Sequence, residues 1–247
     1  MHVYIYDDYL AKGKYNKAIN RMEIRITDLG LNGKILRLSG IKNVKAAIEN
    51  EIRLGAKTIV AVGNNQTVNK IIGAIINADV YEEFQKNTVL GIIPIGDDTS
   101  IASSFGIKNE EDACNILLAR RVKKIDLGVV GNFYFLKQLK VKGKGTILKI
   151  NNFEIEASDK TEVNIINLLD DKKDKIPKSS PYDGLLDVFI KNGKNDLTFL
   201  QNKKIIIENI NKEKILIDDI LEIETPAEIG ILKSAITVIV GKERSFL

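Results

Sequence analysis

Near residue 121 the rhythm of this chain changes, and that change limits the folds open to it. Before it, short apolar runs alternate with amphipathic stretches, the pattern of strand and helix units around a parallel sheet. Val3 to Tyr6 reads as a first strand. Ala18, Ile19, Met22, Ile26 and Leu29 then recur at helical spacing, with Gly30 placed to stop the helix. Lys34 to Leu38 is a second strand, Asn43 caps a helix that Gly55 closes, and Thr58 to Val62 is a third, strongly apolar strand. Thr67 to Ile76 reads as a helix and Val89 to Pro94 as a fourth strand. Asn109, followed by Glu110, Glu111 and Asp112, caps a further helix, and Arg120, Arg121, Lys123 and Lys124 fall at its carboxyl end, where they either complement the helix dipole or form an anionic docking patch.

Beyond Ile125 the runs become short and β-prone, with turns between them: 146–150, 153–157, 163–168, 186–190, 204–208, 215–217, 220–223, 229–232 and 235–240. That pattern predicts an antiparallel β-sandwich, with residues 170–180 as a polar loop. The expected architecture is an α/β domain with a parallel sheet over residues 1–121, followed by a β-sandwich domain over 122–247. A chain of 247 residues has room for two such cores.

Composition narrows the function classes. With 37 Lys and Arg against 33 Asp and Glu, the net charge is only +4, and the cations are interleaved with acids. Nucleic-acid binding has no support: there is no Trp, and no run of aromatics lies between cations. No stretch approaches the roughly 20 apolar residues of a membrane-spanning helix. The amino terminus does not read as a signal peptide, and with one Cys this leads to the expectation of a cytoplasmic protein. His2 is the sole histidine, expected exposed, so a Ser-His-Asp arrangement is excluded, and Cys114 reads as a small core residue.

In an open parallel sheet, ligands bind beyond the carboxyl ends of the strands. Two loops qualify there. The first, Gly63-Asn64-Asn65-Gln66-Thr67 with Asn69 and Lys70 behind it, leads from a buried strand into a helix, a geometry that suits a phosphate. The second runs from Pro94 through Gly96, Asp97, Asp98 and Thr99 to Gly106. Gly63, Thr67 and Asn69 match the G-G-D-G-T-x-N-E motif of diacylglycerol kinase catalytic domains and bacterial lipid kinases, whose architecture NAD kinases share. Pro94, Gly96, Ala102, Ser104 and Gly106 match the P-x-G-T-G-N-D-F-A-R run, and residues 181–188 (Pro-Tyr-Asp-Gly-Leu-Leu-Asp-Val) match D-D-G-L-L-D-V. Asp126-Leu127-Gly128 with Asn132, Phe133 and Phe135 resembles the start of that family's β domain. The chain thus resembles a divergent diacylglycerol kinase-like protein of NAD kinase-like fold.

By that resemblance the chain transfers a phosphoryl group from ATP, with Mg²⁺, to a lipid or other alcohol. The alternative is a catalytically inactive pseudokinase serving as a nucleotide-binding or protein-interaction module, and a homodimer is left open. The resemblance assigns nucleotide binding to Gly63, Asn64, Asn65, Gln66, Thr67, Asn69, Gly96, Asp97 and Thr99, and a metal to Asp183, which also reads as a turn residue. The departures lie in the motifs themselves. Asn64, Asn65 and Gln66 replace glycine, acid and glycine, and Lys70 replaces the terminal glutamate. Asn65 can orient a water or a ribose but cannot take a proton. Asp97 and Asp98 either flank a relocated Mg²⁺ or cap the next helix. Where the family has D-G-E, the chain has Asp218-Asp219-Ile220, with Glu222 two residues on, so Asp98 or Glu222 would have to supply the missing acid-base function. Residues 7–14 replace N-P-x-S-G-x-G and keep Lys12 and Lys14, which either reach a phosphate or are merely solvated. The basic link 136–144 reads as a cationic hairpin or as a contact for anionic lipid headgroups.

Overall fold

The computed structural model describes residues 1–80, 87–142, 144–158, 160–168, 179–193 and 196–246. The loop expected at 170–180 lies mostly outside them. The chain divides into two compact units, one of residues 1–124 and 236–245, the other of residues 125–235 and 246.

In the first unit β1 (His2–Tyr6), β2 (Gly33–Arg37), β3 (Thr58–Gly63) and β4 (Val89–Pro94) lie parallel in the order β2-β1-β3-β4. Every residue of β3 and β4 is buried, as continuous apolar runs in a sheet covered on both faces require. Five helices accompany the strands among the described residues: α1 (Asn16–Asp28), α2 (Val44–Arg53), α3 (Asn65–Ile76), α4 (Ser100–Ser104) and α5 (Glu110–Ala119). α1 buries Ile19, Met22 and Ile26 and packs against α5, while α2 packs against α3. The expected caps form: Asn43 Oδ1 accepts from Ala46 N at 3.1 Å, and Asn109 Oδ1 from Asp112 N at 2.9 Å. The chain runs outward from β1 to β2, then returns to place β3 on the other side of β1. The topological switch point therefore falls between β1 and β3, where an open sheet leaves a crevice.

The sequence places the four cations 120–124 at the end of a helix; the structure distributes them. α5 ends at Ala119, Arg120 takes a left-handed conformation and donates to Thr58 Oγ1 at 2.7 Å, and Lys123 and Lys124 already belong to β5 (Val122–Val130). His2 is the first residue of β1, half-buried and stacked 6.1 Å from the Tyr4 ring, rather than exposed.

The second unit is a β-sandwich. One sheet has the order β12 (Asp196–Asn202), β11 (Leu186–Asn192), β10 (Thr161–Ile166), β7 (Gln138–Lys142), β14 (Ile215–Ile217), β15 (Leu221–Ile223), each pair antiparallel. The other joins β9 (Phe153–Glu156), β8 (Thr146–Ile150), β13 (Lys204–Asn209) and the start of β16 (Ala227–Ile239). Alternate residues from both sheets, including Leu139, Val163, Val188, Leu148, Ile205 and Ile229, meet in one core. β5 pairs with β6 (Phe133–Phe135), and Gly128 is required there because a Cβ would collide with the Phe135 ring. The basic link 136–144 contains β7, which is paired on both sides. Segments 229–232 and 235–240 belong to a single strand over most of their length, β16, with Ser234 at φ +52° inside it.

Candidate functional site

The carboxyl ends of β1, β3 and β4 stand level: Tyr6 pairs with Val62, and Gly63 with Pro94. Three loops leave this edge, and their side chains tie them together across the switch point. Thr67, fully buried, donates from Oγ1 to Asp7 Oδ2 at 2.6 Å, joining the β3 loop to the β1 loop. Gly63 makes room for that contact, since a Cβ there would collide with Thr67 Oγ1. Tyr9 donates its hydroxyl to Ile95 O, and its ring lies over Gly96, where a Cβ would stand 2.6 Å from the phenol oxygen. Burial raises the Tyr9 pKa, so the phenol stays protonated and keeps this donor role.

The first phosphate-loop residues are already engaged. The helix begins at Asn65, two residues earlier than the sequence suggests, with Asn64 as its cap: Asn64 Oδ1 accepts from Thr67 N at 3.2 Å. Asn65 N donates to Asp98 O at 2.9 Å. The Asn65 side chain is buried and bridges to α4, with Oδ1 accepting from Ile101 N at 3.0 Å and Nδ2 donating to Ser100 Oγ at 2.9 Å. Gln66 is exposed, and Asn69 is half-buried further along α3.

A cavity of about 250 Å³ opens beside these contacts, lined by Tyr9, Lys12, Lys14, Tyr15, Asn64 and Asp97. Tyr9 and Tyr15 meet edge to face with centroids 5.5 Å apart, and the Lys14 ammonium sits 4.9 Å from the Tyr15 ring centroid. Asp97 accepts from Lys14 Nζ at 3.0 and 3.3 Å and from Tyr15 Oη at 3.1 Å. The Lys14 bond, seconded by Tyr15, holds the Asp97 carboxyl below the usual range, so it is an anion with its own counter-charge. Lys12 ends the short 3-10 turn Asp8–Lys12 and is exposed. Thr99 is half-buried before α4, and Asp98 Oδ1 accepts from Ser100 N at 3.3 Å, outside the cavity lining.

The remaining candidate residues lie in the second unit, each with a local partner. Asp183 Oδ1 accepts from Leu185 N at 2.9 Å in its turn. Exposed Glu222 pairs with Lys214 at 3.0 Å. Asp218, buried, accepts from Leu136 N, Lys137 N and Gln138 N at 2.8–3.0 Å. Among the described residues, no three His, Cys, Asp or Glu side chains stand together as a metal cage would need. The cavity lining does not fit a Mg²⁺ site: its one carboxylate, Asp97, holds Lys14, while Asp7 holds Thr67 and Asp98 is not part of the lining.

Sequence reasoning gave no role to two contributors and saw a third, Asp126, only as part of a motif. Tyr9 and Tyr15 sit in a segment rich in Lys and Tyr directly after the first strand, a position that itself signals the ligand edge of a parallel sheet. Asp126, buried, accepts from Gly184 N at 2.7 Å and Ser234 N at 2.6 Å, which fixes the turn that carries Asp183.

The family model for the diacylglycerol kinase catalytic domain matches residues 3–130, more than half of the chain and all of the cavity lining. The chain belongs to that family. A relative named "Probable lipid kinase YegS-like", from Enterobacter sp. (strain 638), is 30% identical over 125 residues, 49% of this chain. The match spans only 40% of that protein's length. The crystal structure of a diacylglycerol kinase from Bacillus anthracis str. Sterne superposes with a TM-score of 0.78 at 17% identity, covering 98% of this chain and 97% of that one. A second crystal structure from the same organism gives 0.79 at 16% identity, covering 98% and 95%. These likenesses show the two-domain diacylglycerol kinase fold, with its parallel amino-terminal sheet and its β-sandwich. Among the described residues, no helix is long and apolar enough to cross a membrane.

Proposed function

We propose that this diacylglycerol kinase family member is a nucleotide-binding module in which phosphoryl transfer has been given up for structural contacts. The observation that carries this reading is the state of Asn65. Where the family's first motif has an acid, this chain has a buried amide that uses both ends of its side chain to hold α4. Such a group has no basicity to offer and no free face to turn toward a phosphate. Binding is supported by what remains at the switch point: two tyrosines, two lysines and Asn64 around one cavity.

The second reading, ATP-dependent phosphoryl transfer to a lipid or other alcohol, is favoured by one feature. Exposed Asp98 stands on the second motif loop, its side chain accepting from Ser100 N at 3.3 Å and from no other group among the described residues, and would act as a base or ligate a metal. In that case Glu222 and Asp183 would have to leave their present partners, Lys214 and Leu185 N, to take the roles that the resemblance gives them. Nucleotide titration by calorimetry, with a labelled-phosphate transfer assay on diacylglycerol vesicles, separates the two. The module reading expects heat of binding and no labelled lipid. Labelled lipid that disappears in Asp98→Asn establishes the second reading instead.

A further inference from the structure

The one acid lining the cavity does not fit the metal that the family's chemistry calls for, and that disagreement points to a different ligand. A triphosphate brings several negative charges, which Mg²⁺ normally shares with one or two carboxylates. Here the one carboxylate lining the cavity, Asp97, is bonded to Lys14 and Tyr15, so no carboxylate in the lining is free to ligate a cation. What the lining offers instead is positive charge. Lys14 and Asp97 offset each other, which leaves Lys12 as the surplus cation, with no ion pair among the described residues. One surplus charge suits one phosphate, whose monoester carries about −1.5 to −2 near pH 7.

Size agrees with charge. Sites that enclose a drug-sized molecule run from roughly 300 to 1,000 Å³, so this open cavity, at about 250 Å³, encloses part of a nucleotide and not an extended triphosphate. Its walls include two tyrosine rings set edge to face, an apolar corner for a base or sugar to pack against, with the Lys14 ammonium over the Tyr15 ring. Asn64, the cap of α3, adds a polar group on the β3 side.

We infer that this cavity binds a nucleoside monophosphate without a metal ion, with Lys12 on the phosphate and the tyrosine pair against the base or sugar. The inference rests on the nucleotide-binding reading above and narrows it to a ligand class. It also makes Asp97 a gate on affinity: the carboxylate competes with the ligand for Lys14. A metal-binding Asp97 would have the opposite effect, so one variant separates the two roles.

The test is calorimetric titration of the full chain with AMP, ADP and ATP, each in EDTA and in excess Mg²⁺, on wild type, Lys12→Ala, Lys12→Arg and Asp97→Asn. The expected result is AMP binding of equal strength in EDTA and Mg²⁺, and ATP binding no tighter than AMP. Lys12→Ala should weaken AMP by about tenfold, the loss of one charge-assisted contact, and Lys12→Arg should restore most of it. Asp97→Asn should tighten AMP about two- to fivefold, the fold-change worth of an exposed ion pair. Lys12 and Asp97 are both exposed, so the variants leave the fold intact, and a thermal melt verifies this. ATP binding that needs Mg²⁺ and falls in Asp97→Asn overturns the inference while leaving the nucleotide reading standing. Absence of binding by all three nucleotides overturns both.

Discussion

Three backbone amides, those of Leu136, Lys137 and Gln138, converge on the buried carboxylate of Asp218. The residue occupies a left-handed turn at φ +47°, a conformation Asn also tolerates. Asp218→Asn therefore keeps the turn and removes the charge, and we expect a loss of about 2 kcal/mol in a urea titration, with the midpoint lowered and the slope unchanged. Asp187 behaves in the opposite sense. It is buried beside Gln201, whose Nε2 donates to it at 2.8 Å, and burial raises its pKa above the ordinary 3.8. The folded state thus holds a proton that the unfolded state releases, so this carboxyl costs stability as pH climbs from 3.8 through its folded value. Asp187→Asn should be the more stable protein at pH 7, and its advantage should shrink toward zero below pH 3.8 in unfolding measurements across pH. The sequence showed that Asn65 lacks basicity. It could not show that the amide spans to Ile101 and Ser100, because that bridge depends on how two loops 35 residues apart pack together.

At the scale of elements, caps and continuous apolar strands were legible because their causes are local. Asn43 and Asn109 cap where expected, and Asn109→Ala should cost about 1 kcal/mol in thermal or urea unfolding, without effect on nucleotide binding. Elements whose partners lie far away in the chain were harder to read. β7 was read as a link because its lysines mask the period-two placement of Leu139 and Val141, and only pairing with β10 and β14 makes it a strand. β12 lies at the edge of its sheet and leaves Leu197 and Phe199 exposed, so its residues do not show the buried pattern of an inner strand. The cations 120–124 looked like a helix terminus because charge near a helix end has a ready local explanation. The αL turn at Arg120 instead ends α5 early and begins a strand.

Across the whole molecule, the sequence carried the fold class through its change of rhythm and through ordered motif fragments, and the family model and the structural likenesses agree with that reading. A single sequence has no mark for the destination of a terminal strand, and here Thr237 and Val238 pair with β4 of the first unit while Ala227–Gly230 pair with β13 of the second. The candidate site was legible as two loops at the strand ends. Its third wall, Tyr9 to Tyr15, was quoted only for its lysines, because an aromatic side chain's direction is set by packing on Gly96 and not by spacing. In the reading proposed above, this diacylglycerol kinase fold keeps a nucleotide cavity and has lost the transfer step. The most direct test of that reading is incubation of the full chain with γ-labelled ATP, Mg²⁺ and diacylglycerol vesicles over hours, with Asn65→Asp run alongside. Wild type should leave all label in the nucleotide, and Asn65→Asp should not rescue transfer. Labelled phospholipid formed by wild type in proportion to enzyme concentration would contradict that reading.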